Sequence, residues 1–100
     1  MLGEKGECIA CRYFFGYSNP NGLHKHHVFA GGTSGRRQMS DKYDLTVMLC
    51  VWHHELYKEA VHNRPNTGLD LWLKQKAQEY YEEHYGTRDD FRRDFIKSYL

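Results

Sequence analysis

Several things are scarce in this chain of 100 residues. It has two prolines, three cysteines and a formal charge of only +1. An odd number of cysteines cannot all pair in disulfides, and a reducing compartment would not keep a bridge anyway. A charge near zero gives no bulk attraction for nucleic acid, so any such surface must come from local clusters of Lys and Arg. No apolar run approaches the ~18 residues that a membrane-spanning helix needs, so no membrane partner is expected. The opening stretch MLGEKGECIACRYFF has no basic segment leading into a long apolar one. It does not read as a secretory signal, and the cytoplasm is the expected compartment. No repeat, low-complexity tract or linker divides the chain, so one domain is expected over 1–100. Disorder is excluded by what is plentiful: 15% of the residues are aromatic and 40% are hydrophobic. A chain this short buries roughly two-thirds of its unfolded surface, so its core is small.

Against three cysteines stand seven histidines, and the two types fall at short spacings. Cys8 and Cys11 make a C-x-x-C pair, followed by the aromatic segment Tyr13-Phe14-Phe15. After the turn-rich Ser18-Asn19-Pro20-Asn21-Gly22, the stretch from Leu23 to Phe29 reads as a strand. Residues from Ala30 to Asp44 read as a long Gly-containing loop. Leu45 to Leu49 reads as a second strand, pairing with the first as an antiparallel hairpin. A helix is expected from Trp52 to Val61, ended by Asn63-Arg64-Pro65-Asn66, and a second, strong one from Leu69 to Tyr85, where Leu69, Leu73, Ala77 and Tyr80 recur at helical spacing. Gly86 is a stop. Thr87 and Asp90 form a capping-box-like start, and Phe91, Phe95 and Tyr99 follow on one face with Ile96 beside them. The aromatic helices read as core packing behind a unit too small to stabilise itself.

Cys50 and His53 form a C-x-x-H pair far along the chain. Two short pairs supply four N/S ligands, the number a tetrahedral structural zinc takes. Cys8, Cys11, Cys50 and His53 are therefore the expected zinc ligands. The second pair spans a strand end and a helix start, which is the half-site geometry of a treble clef. His54 can replace His53 in this set, and the spacing leaves that swap open.

The second constellation is His26, His27 and His54. On a strand, His26 and His27 point to opposite faces. On a helix, His53 and His54 point ~100° apart. His26 and His54 can thus converge on a second, open metal site, leaving His27 free to take a proton from water. His24 shares a strand face with His26 and reads as surface or outer support. His62 lies eight residues beyond His54, two helical turns or a rise of about 12 Å, and is expected to be too far to share that metal.

The layout C-x-x-C, KHHVF, a Gly-rich loop, LTVMLC and C-x-x-H-H resembles an HNH endonuclease of the ββα-metal class. With the tail GLDLWLKQKAQEYYEEHYGTRDDFRRDFIKSYL it is similar to small phage-encoded proteins of the recombination-enhancement type. The resemblance implies an α+β fold: a zinc-stabilised treble-clef, ββα-metal core over 8–62 and a C-terminal helical extension over 66–100. It implies that His26 and His54 bind a catalytic divalent ion, Mg²⁺ or Mn²⁺, and that His27 activates the water that hydrolyses a DNA phosphodiester. DNA is the implied substrate, and a recombinase filament or phage recombination proteins are the implied partners, in the cytoplasm of a bacterial host. Two positions depart from the family pattern. Asp44 and Leu45 stand where the middle Asn is expected, leaving Asp44 to position the loop. Lys58 stands where some relatives carry a further metal ligand.

Arg36 and Arg37, with Lys42, form the densest basic cluster near these histidines, in a stretch where Gly31, Gly32 and Gly35 allow close backbone approach to phosphate. Lys74, Lys76, Arg92 and Arg93 lie among many acids and read as solvated surface. The competing expectation is a zinc module that grips DNA or a recombination partner without cutting. The sequence leaves the oligomeric state open.

Overall fold

The computed structural model of the chain describes residues 1–29 and 36–100, with the backbone alone at residue 36. The chain is an α+β structure built on one hairpin. Strand β1 (Leu23–His27) pairs antiparallel with β2 (Thr46–Cys50), with His24 opposite Leu49 and His26 opposite Val47. Residues opposite one another share a face. His24 and His26 therefore lie with the fully buried Val47 and Leu49, while Lys25 and His27 lie on the other face.

Helix α1 (Arg36–Lys42) occupies part of the stretch expected to be loop. Its short run lacks an apolar periodicity and is held instead by Ser40. The Ser40 hydroxyl is completely buried, donates to the Phe29 carbonyl at 2.8 Å and accepts from the Phe29 N–H at 3.1 Å. The expected close approach of Gly31, Gly32 and Gly35 to phosphate lies outside the described residues.

Two five-residue turns of wide, π-type helix flank the hairpin, Cys11–Phe15 and Trp52–Leu56. The second is a correction to the expected helix over 52–61. Tyr57 turns to extended backbone, and the Asn63 amide donates to the carbonyls of Glu55 at 2.7 Å and Tyr57 at 2.8 Å. That side chain satisfies acceptors that a continuing helix would have used internally.

Helix α2 (Gly68–His84) and helix α3 (Arg88–Phe95) close the back of the hairpin. The capping box forms: Asp90 N–H donates to Thr87 Oγ1 at 3.1 Å and Thr87 N–H donates to the Asp90 carboxylate at 2.9 Å. Gly86 is needed beside it, because a Cβ there would come within 2.7 Å of the Asp90 carboxylate. Phe91 and Phe95 stack on each other and against Phe29, with Tyr81 and Tyr43 at the edge. Tyr43 and Tyr81 both donate to Asp94, at 3.0 and 2.7 Å. The helix stops at Phe95, and Ile96, at φ 79°, points to solvent instead of joining the aromatic face. Tyr99 returns to pack on Phe29. Among the described residues no helix is long and apolar enough to cross a membrane.

Candidate metal centres

Four side chains from three separate segments meet at one end of the hairpin. Cys8 and Cys11 come from the C-x-x-C stretch leading into the first π-type turn, Cys50 ends β2, and His53 lies in the second π-type turn. All three thiols are buried and none is in a disulfide. His53 Nδ1 stands 3.6 Å from Cys8 Sγ, 3.6 Å from Cys11 Sγ and 3.3 Å from Cys50 Sγ, and the Cys11 and Cys50 sulfurs are 3.9 Å apart. Ligands at zinc distances, about 2.3 Å for sulfur and 2.0 Å for nitrogen, make tetrahedral edges of about 3.8 Å and 3.5 Å. The buried Cys₃His cluster is thus dimensioned to hold a metal ion such as zinc. Of the two neighbouring histidines, His53 is the one that joins the thiols.

Their electrostatics are uneven. Burial pushes the Cys8 thiol up to about 11. At Cys11, burial acts the same way but is outweighed by its hydrogen bonds with the Tyr17 hydroxyl, the Asn19 amide and the neighbouring thiols, which hold it below the ordinary thiol range. A divalent cation at the centre favours thiolate at all three. Just ahead of Cys8, Glu7 accepts two hydrogen bonds from Arg12, at 2.6 and 2.8 Å.

The second cluster holds His26, His54 and His62 within 4.8 Å of one another. His62 corrects the expectation that it lies out of reach. The helix that would have carried it away ends at Leu56, and the turn folds back so that His62 Nε2 lies 2.9 Å from His54 Nε2. Local sequence offers little warning of this: the break depends on Asn63 reaching back over eight residues. His24, expected to be peripheral, has its Nδ1 2.9 Å from His54 Nδ1. His54 is therefore gripped at both ring nitrogens.

His26 is only 7% exposed, and its Nε2 is buried with no hydrogen-bond partner among the described residues. Such an orphaned polar atom costs on the order of 1–3 kcal/mol unless something occupies it. Burial, then the neighbouring His54, His62, His27 and Lys74, push its imidazole down to about 3. It is a neutral nitrogen donor, the form in which histidine ligates metals. Burial likewise lowers His54, with His62 and His24 adding to it and Glu55 opposing. The three rings can therefore hold a cation.

His27 lies on the other strand face, with its Nε2 2.8 Å from Asp41 Oδ1. A cleft of about 260 Å³ nevertheless brings His26, His27 and His62 to one wall system with Asp70 and Lys74 of α2. Lys74 corrects its reading as solvated surface: its side chain is 14% exposed and pairs with Asp70 at 2.8 Å, and it donates to Asn66 Oδ1 at 2.6 Å.

Of the remaining expected residues, Asp44, Arg37 and Lys42 are not among the residues that line this cleft. Asp44 is exposed, at φ 57°, and its carboxylate accepts from the Tyr85 hydroxyl at 3.3 Å and faces the Met1 amino group at 3.9 Å. Arg37 is exposed on α1, the Lys42 ammonium stands over the Tyr43 ring, and the Arg36 side chain lies outside the described residues. Lys58 is exposed beside a wide groove formed by Phe14, Phe15, Tyr57, Leu69 and Trp72.

A scan against protein-family models gives no match, and searches of curated proteins and of solved structures give none of significance.

Proposed function

We propose that this chain is a metal-dependent HNH-type endonuclease or nickase acting on DNA phosphodiesters. The observation that carries the reading is the orphaned, buried Nε2 of His26 within the His26–His54–His62 cluster, opening on the same cleft as His27. In this reading the knuckle, hairpin and following helical turn form a treble clef around a structural zinc held by Cys8, Cys11, Cys50 and His53. His26, His54 and His62 hold the second ion. An expectation of Mg²⁺ rests on two protein ligands completed by water and phosphate; a third imidazole shifts the preference toward Mn²⁺ or a softer divalent ion, because Mg²⁺ favours oxygen.

A divalent ion held by His26, His54 and His62 would supply charge neutralisation at the scissile phosphate. His27, the histidine outside both ligand sets, accepts the proton of the attacking water. The Lys74 ammonium, steadied by Asp70 and Asn66, offers a cation on the far wall of the cleft. Arg37 and Lys42 supply phosphate contacts that hold the duplex without reading bases. The similarity to recombination-enhancement proteins supports a phage origin and a recombination-linked substrate.

Supercoiled plasmid incubated with the zinc-loaded chain and Mn²⁺ or Mg²⁺ tests this. The expected result is relaxed circles with wild type and none with His27→Ala at unchanged zinc content and circular dichroism. A second reading, a DNA- or protein-binding treble clef without catalysis, is favoured by the exposed Tyr13, Phe14, Phe15, Tyr17, Trp52 and Tyr57 around the Cys₃His cluster. DNA binding without nicking under any divalent ion would establish it.

A further inference from the structure

Asp41 belongs to neither metal cluster, yet its place is built with care. The chain before it is clamped at Ser40, whose hydroxyl bonds both the N–H and the carbonyl of Phe29 and whose carbonyl accepts from Leu45 N–H at 2.7 Å. These bonds tie the last turn of α1 to the chain just beyond β1 and just before β2. Asp41, next in sequence, is thereby aimed back across the exposed face of β1. Its Oδ1 lies 2.8 Å from His27 Nε2 and 3.6 Å from Lys25 Nζ. The His27 side chain is 11% exposed and the Asp41 side chain 52%, so the bond anchors the buried ring from the solvent side.

We propose that Asp41 is a positioning residue for His27, accepting its Nε2–H and so leaving the ring's lone pair on Nδ1. A carboxylate only accepts, and a neutral imidazole carries one N–H. The nitrogen facing Asp41 must therefore be the protonated one, and Nδ1 is the atom left to receive a proton. Desolvation raises the Asp41 carboxyl but is outweighed, by His27 first and then by the Lys25 ammonium, 3.6 Å from the same oxygen; together they hold it below its ordinary range, so it stays an acceptor. The consequence for hydrolysis rests on the nuclease reading above: Nδ1 becomes the proton acceptor, and the carboxylate stabilises the imidazolium formed when it is filled, a division of labour known from other carboxylate–histidine pairs.

The tautomer can be read without any activity. Long-range ¹H–¹⁵N correlation of the His27 ring, in the zinc-loaded full chain with the imidazole neutral, is expected to show a protonated Nε2 and a bare Nδ1. Asp41→Ala is expected to give a mixture of tautomers, and Asp41→Glu, which keeps a carboxylate, to retain the wild-type pattern. A protonated Nδ1 in wild type, or an unchanged pattern in Asp41→Ala, overturns the proposal. The wild-type measurement decides the point even if the Ala variant does not fold. In the plasmid assay, Asp41→Ala is expected to lower kcat about a hundredfold with KM unchanged, and Asp41→Glu to recover most of it. A raised KM at wild-type kcat would make Asp41 a substrate contact instead. Absence of nicking by wild type refutes the nuclease reading alone, since the tautomer stands or falls by the spectrum.

Discussion

The two clusters are built from adjacent histidines and differ in almost everything else. His53 looks into three buried thiols drawn from both ends of the core segment, and its cluster has the edge lengths of a closed tetrahedron. His54 looks into other imidazoles, of which only His26 is buried and His62 is exposed. Sulfur at every corner but one suits an ion that never exchanges its ligands. A ring of imidazoles with one exposed member, beside a cleft, suits an ion whose remaining positions face outward. The difference teaches that one step along a short helical turn is enough to separate a thiol-lined environment from an imidazole-lined one, because successive side chains on a helical turn point in different directions.

The comparison can be broken most directly by removing metal. Structural zinc in a domain this small contributes on the order of 10 kcal/mol, comparable with total stability. Prolonged treatment with a strong chelator is expected to abolish the cooperative thermal melt, and Cys50→Ser to do the same without chelator. A melt that persists in protein shown to be metal-free would reduce the Cys₃His cluster to a packing feature.

The imidazole cluster is expected to behave oppositely. His26→Ala should leave one tightly held zinc per chain and a folded hairpin, while eliminating binding of added Mn²⁺ or Co²⁺ in calorimetry. Equal binding in the variant would remove the second site from the account.

Acid sharpens the contrast further. In the folded chain His26 holds out against protonation down to about 3, against an ordinary 6.5. Between those values the unfolded chain binds the extra proton, so stability rises with pH there and falls as pH drops through that window. The His26 contribution is complete above about 6.5 and lost by about 3. Unfolding midpoints measured across this range should fall with acid in wild type and fall less steeply in His26→Leu; parallel curves would place the acid sensitivity elsewhere.

The smallest effect is expected at His24. It touches His54 at the nitrogen facing away from His62, the position from which an outer partner orients a metal-ligating ring. His24→Ala should weaken the second ion by about tenfold and leave the first untouched. An undiminished affinity would show that His54 needs no such support.

Much of this was legible in the residues. The C-x-x-C and C-x-x-H spacings name the three thiols and narrow the fourth member to His53 or His54, since short spacings constrain side chains locally; the fold brings His53 to the thiols. The hairpin was readable to within a residue or two at each end, and α2 and the Thr87–Asp90 capping box almost to the residue, because periodicity and capping are local as well. What escaped was non-local. His62 escapes because helix propensity from Trp52 to Val61 argues for continuation, whereas Asn63 bonds back to Glu55 and Tyr57 and the N–H groups of Val61 and His62 donate back to the carbonyls of His53 and His54. Helix α1 was hidden because its anchor is one buried serine and not a hydrophobic stripe. Lys74 reads as surface by composition and is enclosed in the fold, its ammonium bonding Asn66 and Asp70 and standing over the Tyr99 ring.

By itself, then, the order of residues determined which side chains can share an ion at one end of the hairpin and where the long helices begin and stop, since both follow from spacings of a few residues. Only the folded chain decided which histidines gather around His26, which carboxylate meets His27 and which lysine faces the cleft. Those meetings join positions far apart in sequence, and their geometry depends on how whole segments pack, a quantity no short pattern encodes.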